Sequence, residues 1–178
     1  QSKERIGDNL GNFVVTNFLS PQNIRPYIQN LKVSHFIGEW LQKEKNSNNL
    51  VKNLSEIVLD IIQKLEDDAV VNFISKKAKE MTGDIKINQI LGNGMEYLLE
   101  KNDHQKLITS LSEQIKNYIL EHHEMVRERV KKESFTLIPS FVDDKIAEKI
   151  TSGLSKYFEE VEQDPNHALR KEITQKLF

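Results

Sequence analysis

The stretch Leu50-Val51-Lys52-Asn53-Leu54-Ser55-Glu56-Ile57-Val58-Leu59-Asp60-Ile61-Ile62-Gln63-Lys64-Leu65 decides the fold class. Leu50, Leu54, Ile57, Val58, Ile61, Ile62 and Leu65 return every three or four positions, the a/d-like seam of an amphipathic helix, whereas a half-buried strand would alternate with period two. The same spacing extends toward the N-terminus. Ile6, Leu10, Phe13, Val14 and Phe18 form one helical stripe. Ser20-Pro21 reads as an N-cap followed by proline at the first helical position, and the short helix after it carries Ile24, Ile28 and Leu31 on one side. Ser34 is placed to cap a third short helix with Phe36, Ile37, Trp40 and Leu41. The polar run Lys43-Glu44-Lys45-Asn46-Ser47-Asn48-Asn49 is expected to be a loop.

Toward the C-terminus, Asp67-Asp68 interrupts the seam, and a helix with Val70, Val71, Ile74, Ala78 and Met81 ends at Gly83, a suitable C′ residue. A weaker helix follows over Ile85 to Lys101, with Gly92 and Gly94 inside it. Asp103 is expected to cap a long helix in which Ile108, Leu111, Ile115, Tyr118, His122, Met125 and Arg129 fall near heptad spacing. That helix runs to about Lys132, roughly 30 residues or about 45 Å at 1.5 Å per residue. Phe135 to Pro139 reads as a connector. Ser140 is then expected to cap a final long helix holding Val142, Ile146, Ile150, Leu154, Tyr157, Phe158 and Val161. Asp164-Pro165 stops it and starts the last helix. The expectation is an all-α chain, an extended multi-helix bundle of antiparallel helices. It has about seven or eight helices, two of them long, in a single helical domain over residues 1–178. Trp40, Phe36, Tyr157 and Phe158 are expected in the core.

Composition narrows the classes of function. The 178 residues include 25 Lys and Arg against 27 Asp and Glu, a net charge of −2, with no cysteine, 7 Gly and 4 Pro. The charge balance argues against nucleic acid as a partner, because phosphate binding wants a concentrated positive excess. The lack of cysteine excludes disulfides, thiolate zinc sites and cysteine nucleophiles. Glycine and proline are too few for a turn-rich sandwich or barrel. Apolar runs reach only three residues, as in Ile57-Val58-Leu59, far short of the roughly 20 that a membrane-spanning helix needs. The chain opens on Gln1 rather than Met and is expected to be a piece of a longer protein.

The reactive residue types form no complete catalytic motif. His122-His123-Glu124 resembles the start of a metalloprotease helix, but the second histidine would fall at Val126 or Arg127. Gly92-Asn93-Gly94 is half a dinucleotide fingerprint: its third glycine position is Tyr97, and no strand precedes it. The carboxylate pairs Asp67-Asp68, Asp143-Asp144 and Glu159-Glu160 are neighbours about 100° apart on a helix and suit capping or solvation better than acid–base work. Gly153-Leu154-Ser155-Lys156-Tyr157 lacks the second glycine of a nucleophile elbow. No cofactor and no metal are therefore expected. The basic runs Lys76-Lys77-Ala78-Lys79 and Arg127-Glu128-Arg129-Val130-Lys131-Lys132 sit late in expected helices, where cations complement the dipole. Attraction to anionic lipid headgroups is the alternative use.

Three stretches together resemble one family. Lys3-Glu4-Arg5-Ile6-Gly7-Asp8-Asn9-Leu10-Gly11, with Phe13-Val14 and Asn17-Phe18-Leu19-Ser20-Pro21 after it, looks like the start of the soluble part of the domain of unknown function 445 family. Ile37-Gly38-Glu39-Trp40-Leu41 is similar to its second landmark, a short helix ending in Trp-Leu. Asp164-Pro165-Asn166-His167-Ala168-Leu169-Arg170 resembles its Asp-Pro-x-His-x-Leu-Arg signature. The resemblance implies the N-terminal part of the soluble domain of a YjiN-like, membrane-anchored bacterial protein, with its hydrophobic anchors outside this chain. It implies no activity and no catalytic residue.

Asp164, Pro165, His167 and Arg170 are therefore expected to start a helix, with Arg170 pairing with Asp164 or reaching another helix. Together with Trp40 they form a candidate interaction or structural motif. The functional expectation is a non-catalytic protein- or lipid-interaction or scaffolding module. It would be held at a bacterial membrane through segments outside this chain, on the cytoplasmic face, and would bind a protein partner or itself through its long helices. Two alternatives stand beside it. One is a hydrolase or metal-dependent enzyme completed by a missing C-terminal part, using His104, His122, His123 and His167. The other is an apolar-ligand or lipid carrier whose bundle parts into a tunnel.

Overall fold

The computed structural model describes residues 14–65, 104–135 and 143–177. The opening motif Lys3 to Gly11, the expected helices over residues 70–83 and 85–101, Asp67-Asp68, Lys76 to Lys79, Gly92 and Gly94, the Asp103 cap and the Ser140 cap lie outside the described residues. After a helical turn at residues 14–17, the described helices are α1 (Pro21–Gln29), α2 (His35–Gln42), α3 (Glu44–Lys64), α4 (His104–Glu121), α5 (His123–Phe135), α6 (Asp144–Gln163) and α7 (Ala168–Leu177). The chain is all-α, a bundle in which no strand occurs among the described residues.

Helix α6 is the central packing element. Its largest contacts are with α4 and then α5, and α1 packs across it as well. Lys116 on α4 pairs with Glu162 near the end of α6, and Lys131 on α5 pairs with Asp144 at its start, 2.9 Å apart, so α6 runs antiparallel to both. Helix α3 closes the other side against α1, α2 and α5. Its seam is buried as the spacing predicts: Leu50, Leu54, Ile57, Val58, Ile61 and Ile62 are all at most 3 % exposed. Each such side chain contributes roughly 1.5–3 kcal/mol of burial, which gives the seam more weight than any single cap. Where the N-terminal segment, α1 and α6 meet, Tyr157 sets its ring edge-on to Tyr27 at 4.9 Å and to Phe158 at 5.3 Å, and Phe158 stacks on Phe18.

Five local expectations are corrected. The run Lys43 to Asn49 is not a loop, because α3 begins at Glu44. Its polar residues reach back to the orphan carbonyls at the end of α2. Asn46 Nδ2 donates to the Trp40 carbonyl at 2.9 Å, and Ser47 Oγ and Gln29 Nε2 donate to that of Leu41. The Trp40 carbonyl also accepts from the Lys43 N–H at 3.3 Å, while side chains supply the partners of the Leu41 carbonyl.

The long helix expected to run to about Lys132 is divided at His122 into α4 and α5. The hydrogen bonds from His122 N to Tyr118 and from Val126 N to His122 nevertheless continue through the break. The cap of α6 is Asp143, whose carboxylate accepts from Ile146 N at 2.9 Å. Ser20 precedes α1 in extended conformation but makes no side-chain cap, and its hydroxyl is buried without a partner. Phe36, expected in the core, is 55 % exposed. It shares its short helix with Ile37 and Leu41, which face inward four residues apart on one side, and a helix this short with a single partner-facing stripe leaves Phe36 outside that stripe.

Candidate functional site

The signature Asp164 to Arg170 builds a junction where three helix ends meet. Helix α6 ends at Gln163, and its last carbonyls lack partners within the helix. Arg170, two residues into α7, turns back to supply them. Its Nε donates to the Val161 carbonyl at 2.7 Å and its Nη2 to that of Glu162 at 2.8 Å. The same guanidinium reaches the first turns of α4. Nη1 donates to the Gln105 carbonyl and side-chain oxygen at 3.3 and 3.2 Å, and Nη2 donates to Thr109 Oγ1 at 2.8 Å. Thr174 and Gln105 close the network: Gln105 Nε2 donates to Thr174 Oγ1 at 3.1 Å, and Thr174 Oγ1 donates to the Arg170 carbonyl.

Arg170 is 3 % exposed. Burial lowers its pKa, while the Asp164 and Glu162 carboxylates raise it. It remains a cation, since a guanidinium titrates far above the neutral range. The planar fork suits this place because it can serve two helices at once. The expected Arg170–Asp164 pair does not form. Of the two uses foreseen for Arg170, the structure shows the reach to other helices.

The start of α7 differs from the expected one. Asp164 does not cap it. Its Oδ1 accepts from Asn166 N at 2.9 Å, closing a tight turn in which Pro165 is exposed. The helix opens at Ala168, and His167 takes the cap: its Nδ1 accepts from Leu169 N at 3.1 Å. On its other side His167 Nε2 lies 3.4 Å from Tyr27 Oη, and the Tyr27 hydroxyl donates to the Glu160 carboxylate. Burial, and then the hydrogen bond and charge of Glu160, push the Tyr27 phenol above its ordinary pKa. Tyr157, 1 % exposed, donates to the Phe18 carbonyl, and its phenol is pushed up chiefly by burial.

The sequence signalled Asp164, His167 and Arg170 but not their partners. Tyr27 and Glu160 carry no local motif, and Tyr27 meets a residue 140 positions away in the chain. Gln105 and Thr109 lie in the long helix expected from Asp103, and no motif marked them as partners of Arg170. Trp40 is half-buried on α2 against the core, and none of the junction's hydrogen bonds reaches it.

Of the histidines expected of a metal enzyme, His122, His123 and His167 make separate sets of contacts. His167 is in the junction, and His104 begins α4. His122 packs its ring on Tyr118 at 4.3 Å, and His123 Nε2 lies 2.6 and 2.7 Å from the two oxygens of Glu148. Among the described residues no three His, Asp or Glu side chains gather as a metal site. Two of the basic residues on α5 are tied sideways, Arg129 to Asp60 and Lys131 to Asp144. The Lys131 ammonium depresses the Asp144 carboxyl, first through their hydrogen bond and then through its charge.

Two cavities adjoin on the face where α1 meets α6. An apolar pit of about 10 Å³ lies among Ile24, Ile28, Leu31, Leu54, Ile150 and Leu154. It has room for one water-sized group and not for an acyl chain. Above it an open groove of about 460 Å³ is lined by Pro26, Tyr27, Asn30, Gly153, Lys156 and Glu160. No helix among the described residues is long and apolar enough to cross a membrane.

Comparison with known proteins finds no match among the curated proteins and none among the solved structures. A family model described as protein of unknown function (DUF445) matches residues 1–178, the whole chain. The motifs that suggested this family at the two ends of the sequence and the match between them agree, and the chain belongs to the DUF445 family.

Proposed function

We propose that this chain is a non-catalytic interaction or scaffolding domain of a bacterial membrane-anchored protein, binding protein or lipid through the faces of its long helices. The observation that carries the reading is the use made of the signature residues. Asp164 closes a turn, His167 caps a helix, and Arg170 joins the ends of α4, α6 and α7. The most distinctive residues of the chain thus serve its architecture, as a module that presents surfaces requires. Leu120 and Met125, 54 % and 49 % exposed on either side of the α4–α5 break, supply apolar surface for a partner. The lateral pairing of Arg129 and Lys131 favours protein over headgroup contact on α5, because paired cations attract anionic lipid less strongly. Membrane attachment, on the cytoplasmic face, belongs to segments outside this chain.

Crosslinking and liposome flotation of the full-length protein test the reading. Flotation with vesicles, together with a crosslinked species heavier than one chain that Leu120→Glu or Met125→Glu weakens, is the expected result. A full-length protein that stays monomeric and soluble without detergent would remove the basis of the proposal.

A further inference from the structure

The hydrogen bonds of His167 fix where its protons are. Nδ1 accepts from the Leu169 N–H, so that nitrogen carries no hydrogen, and the neutral ring holds its hydrogen on Nε2. Nε2 faces Tyr27 Oη at 3.4 Å, and the phenol passes its own hydrogen to Glu160. The bonds therefore run one way, from Nε2–H to phenol to carboxylate, while Nδ1 holds the first turn of α7.

An imidazolium cannot keep this arrangement. Both of its nitrogens are donors, and Nδ1–H would confront the Leu169 N–H. The outer half of the network is indifferent to the change, because Nε2 donates in either state. Among the described residues, the charged groups linked to the ring by hydrogen bonds or backbone contacts can be named element by element. Helix α6 brings the Glu160 carboxylate, one phenol away, and the turn after it brings Asp164, whose carbonyl accepts from His167 N. Helix α7 brings Arg170 and Lys171, whose amides donate to the His167 carbonyl. Helix α1 adds only the Tyr27 phenol, and α4 enters the junction with the neutral Gln105 and Thr109.

We infer that His167 is a proton-operated latch on the last helix: the neutral imidazole caps α7, and protonation removes that cap and frees the Leu169 amide. What is released is specific. Leu169 and Ile173 anchor α7 in the core at 2 % and 1 % exposure, and the Arg170 guanidinium grips α4 and α6 independently of the ring. Protonation therefore loosens the entry to the helix without detaching the whole of it. The inference does not depend on what the domain binds.

Nuclear magnetic resonance on the intact 178-residue chain tests it. Long-range proton–nitrogen spectra near neutral pH are expected to show His167 Nδ1 without a proton. Amide exchange at Leu169, corrected for its intrinsic rate, is expected to lose roughly fivefold in protection as pH is lowered until the same spectra show the ring protonated, the population change of a lost N-cap. His167→Asn keeps an acceptor that does not titrate and is expected to hold protection constant over that range. Tyr27→Phe is expected to retain the pH dependence, since the cap uses the other nitrogen. A neutral ring protonated on Nδ1 would overturn the inference, as would the same loss of protection in His167→Asn or its disappearance in Tyr27→Phe.

Discussion

A single buried guanidinium does at this junction what several caps do elsewhere. Arg170 meets five neutral oxygens at 2.7–3.3 Å, and its removal leaves the last carbonyls of α6 without a partner. Arg170→Ala is expected to cost about 3 kcal/mol or more in urea denaturation, since each buried group left unsatisfied costs about 1–3 kcal/mol. Arg170→Lys should recover less than half of that, because an ammonium lacks the fork that spans two helices. The two buried phenols give a pH prediction at the same scale. Tyr27 and Tyr157 both have raised pKa values in the folded chain. Their protonated forms therefore favour the fold, and that contribution is complete below the unfolded tyrosine value of about 10 and lost as pH rises above it. Ultraviolet titration is expected to show a fraction of the tyrosine signal ionising only as the chain unfolds. Tyr27→Phe and Tyr157→Phe should each shrink that fraction.

Helices were legible in the sequence where packing wrote them and obscure where capping did. The seam of α3 from Leu50 onward follows from spacing alone, because every third or fourth side chain is buried. Its first turn did not read as helix, since Asn46 and Ser47 are polar for a reason that only the end of α2 explains. In α6, Gly153 marks another element-scale effect. A Cβ there would lie 3.1 Å from Leu31 Cδ2, the flexible end of a side chain that borders the small apolar cavity. Leucine can retreat into that space, while alanine is the better helix former by about 1 kcal/mol. Gly153→Ala is therefore expected to stabilise the fold by about 0.5 kcal/mol, measured as a higher urea midpoint with unchanged slope. A lower midpoint would mean that Leu31 does not yield.

Across the whole molecule, long-range order was the part the sequence withheld. Periodicity announces which faces are apolar but not which faces meet. The joining of Tyr27 to Glu160 and His167, or of Arg170 to Gln105 and Thr109, therefore needed coordinates. The family, by contrast, was readable from its terminal motifs, and in the C-terminal one Asp164 and His167 serve local turn and cap chemistry that leaves its mark on the sequence. With α6 touching α1, α4 and α5, amide exchange is expected to be slowest at Leu154, Tyr157 and Phe158 of α6 and at Ile115 and Ile119 of α4. It should be faster in α2, whose exposed face carries Phe36. The interruption at His122 has a mechanical meaning in this setting. Because α6 spans it like a splint, pinned to α4 by Lys116–Glu162 and to α5 by His123–Glu148 and Lys131–Asp144, the rod cannot hinge there without dragging two sets of anchors along one strut. Bending at that point is thereby converted into sliding, and the domain is rigid where its backbone alone looks weakest.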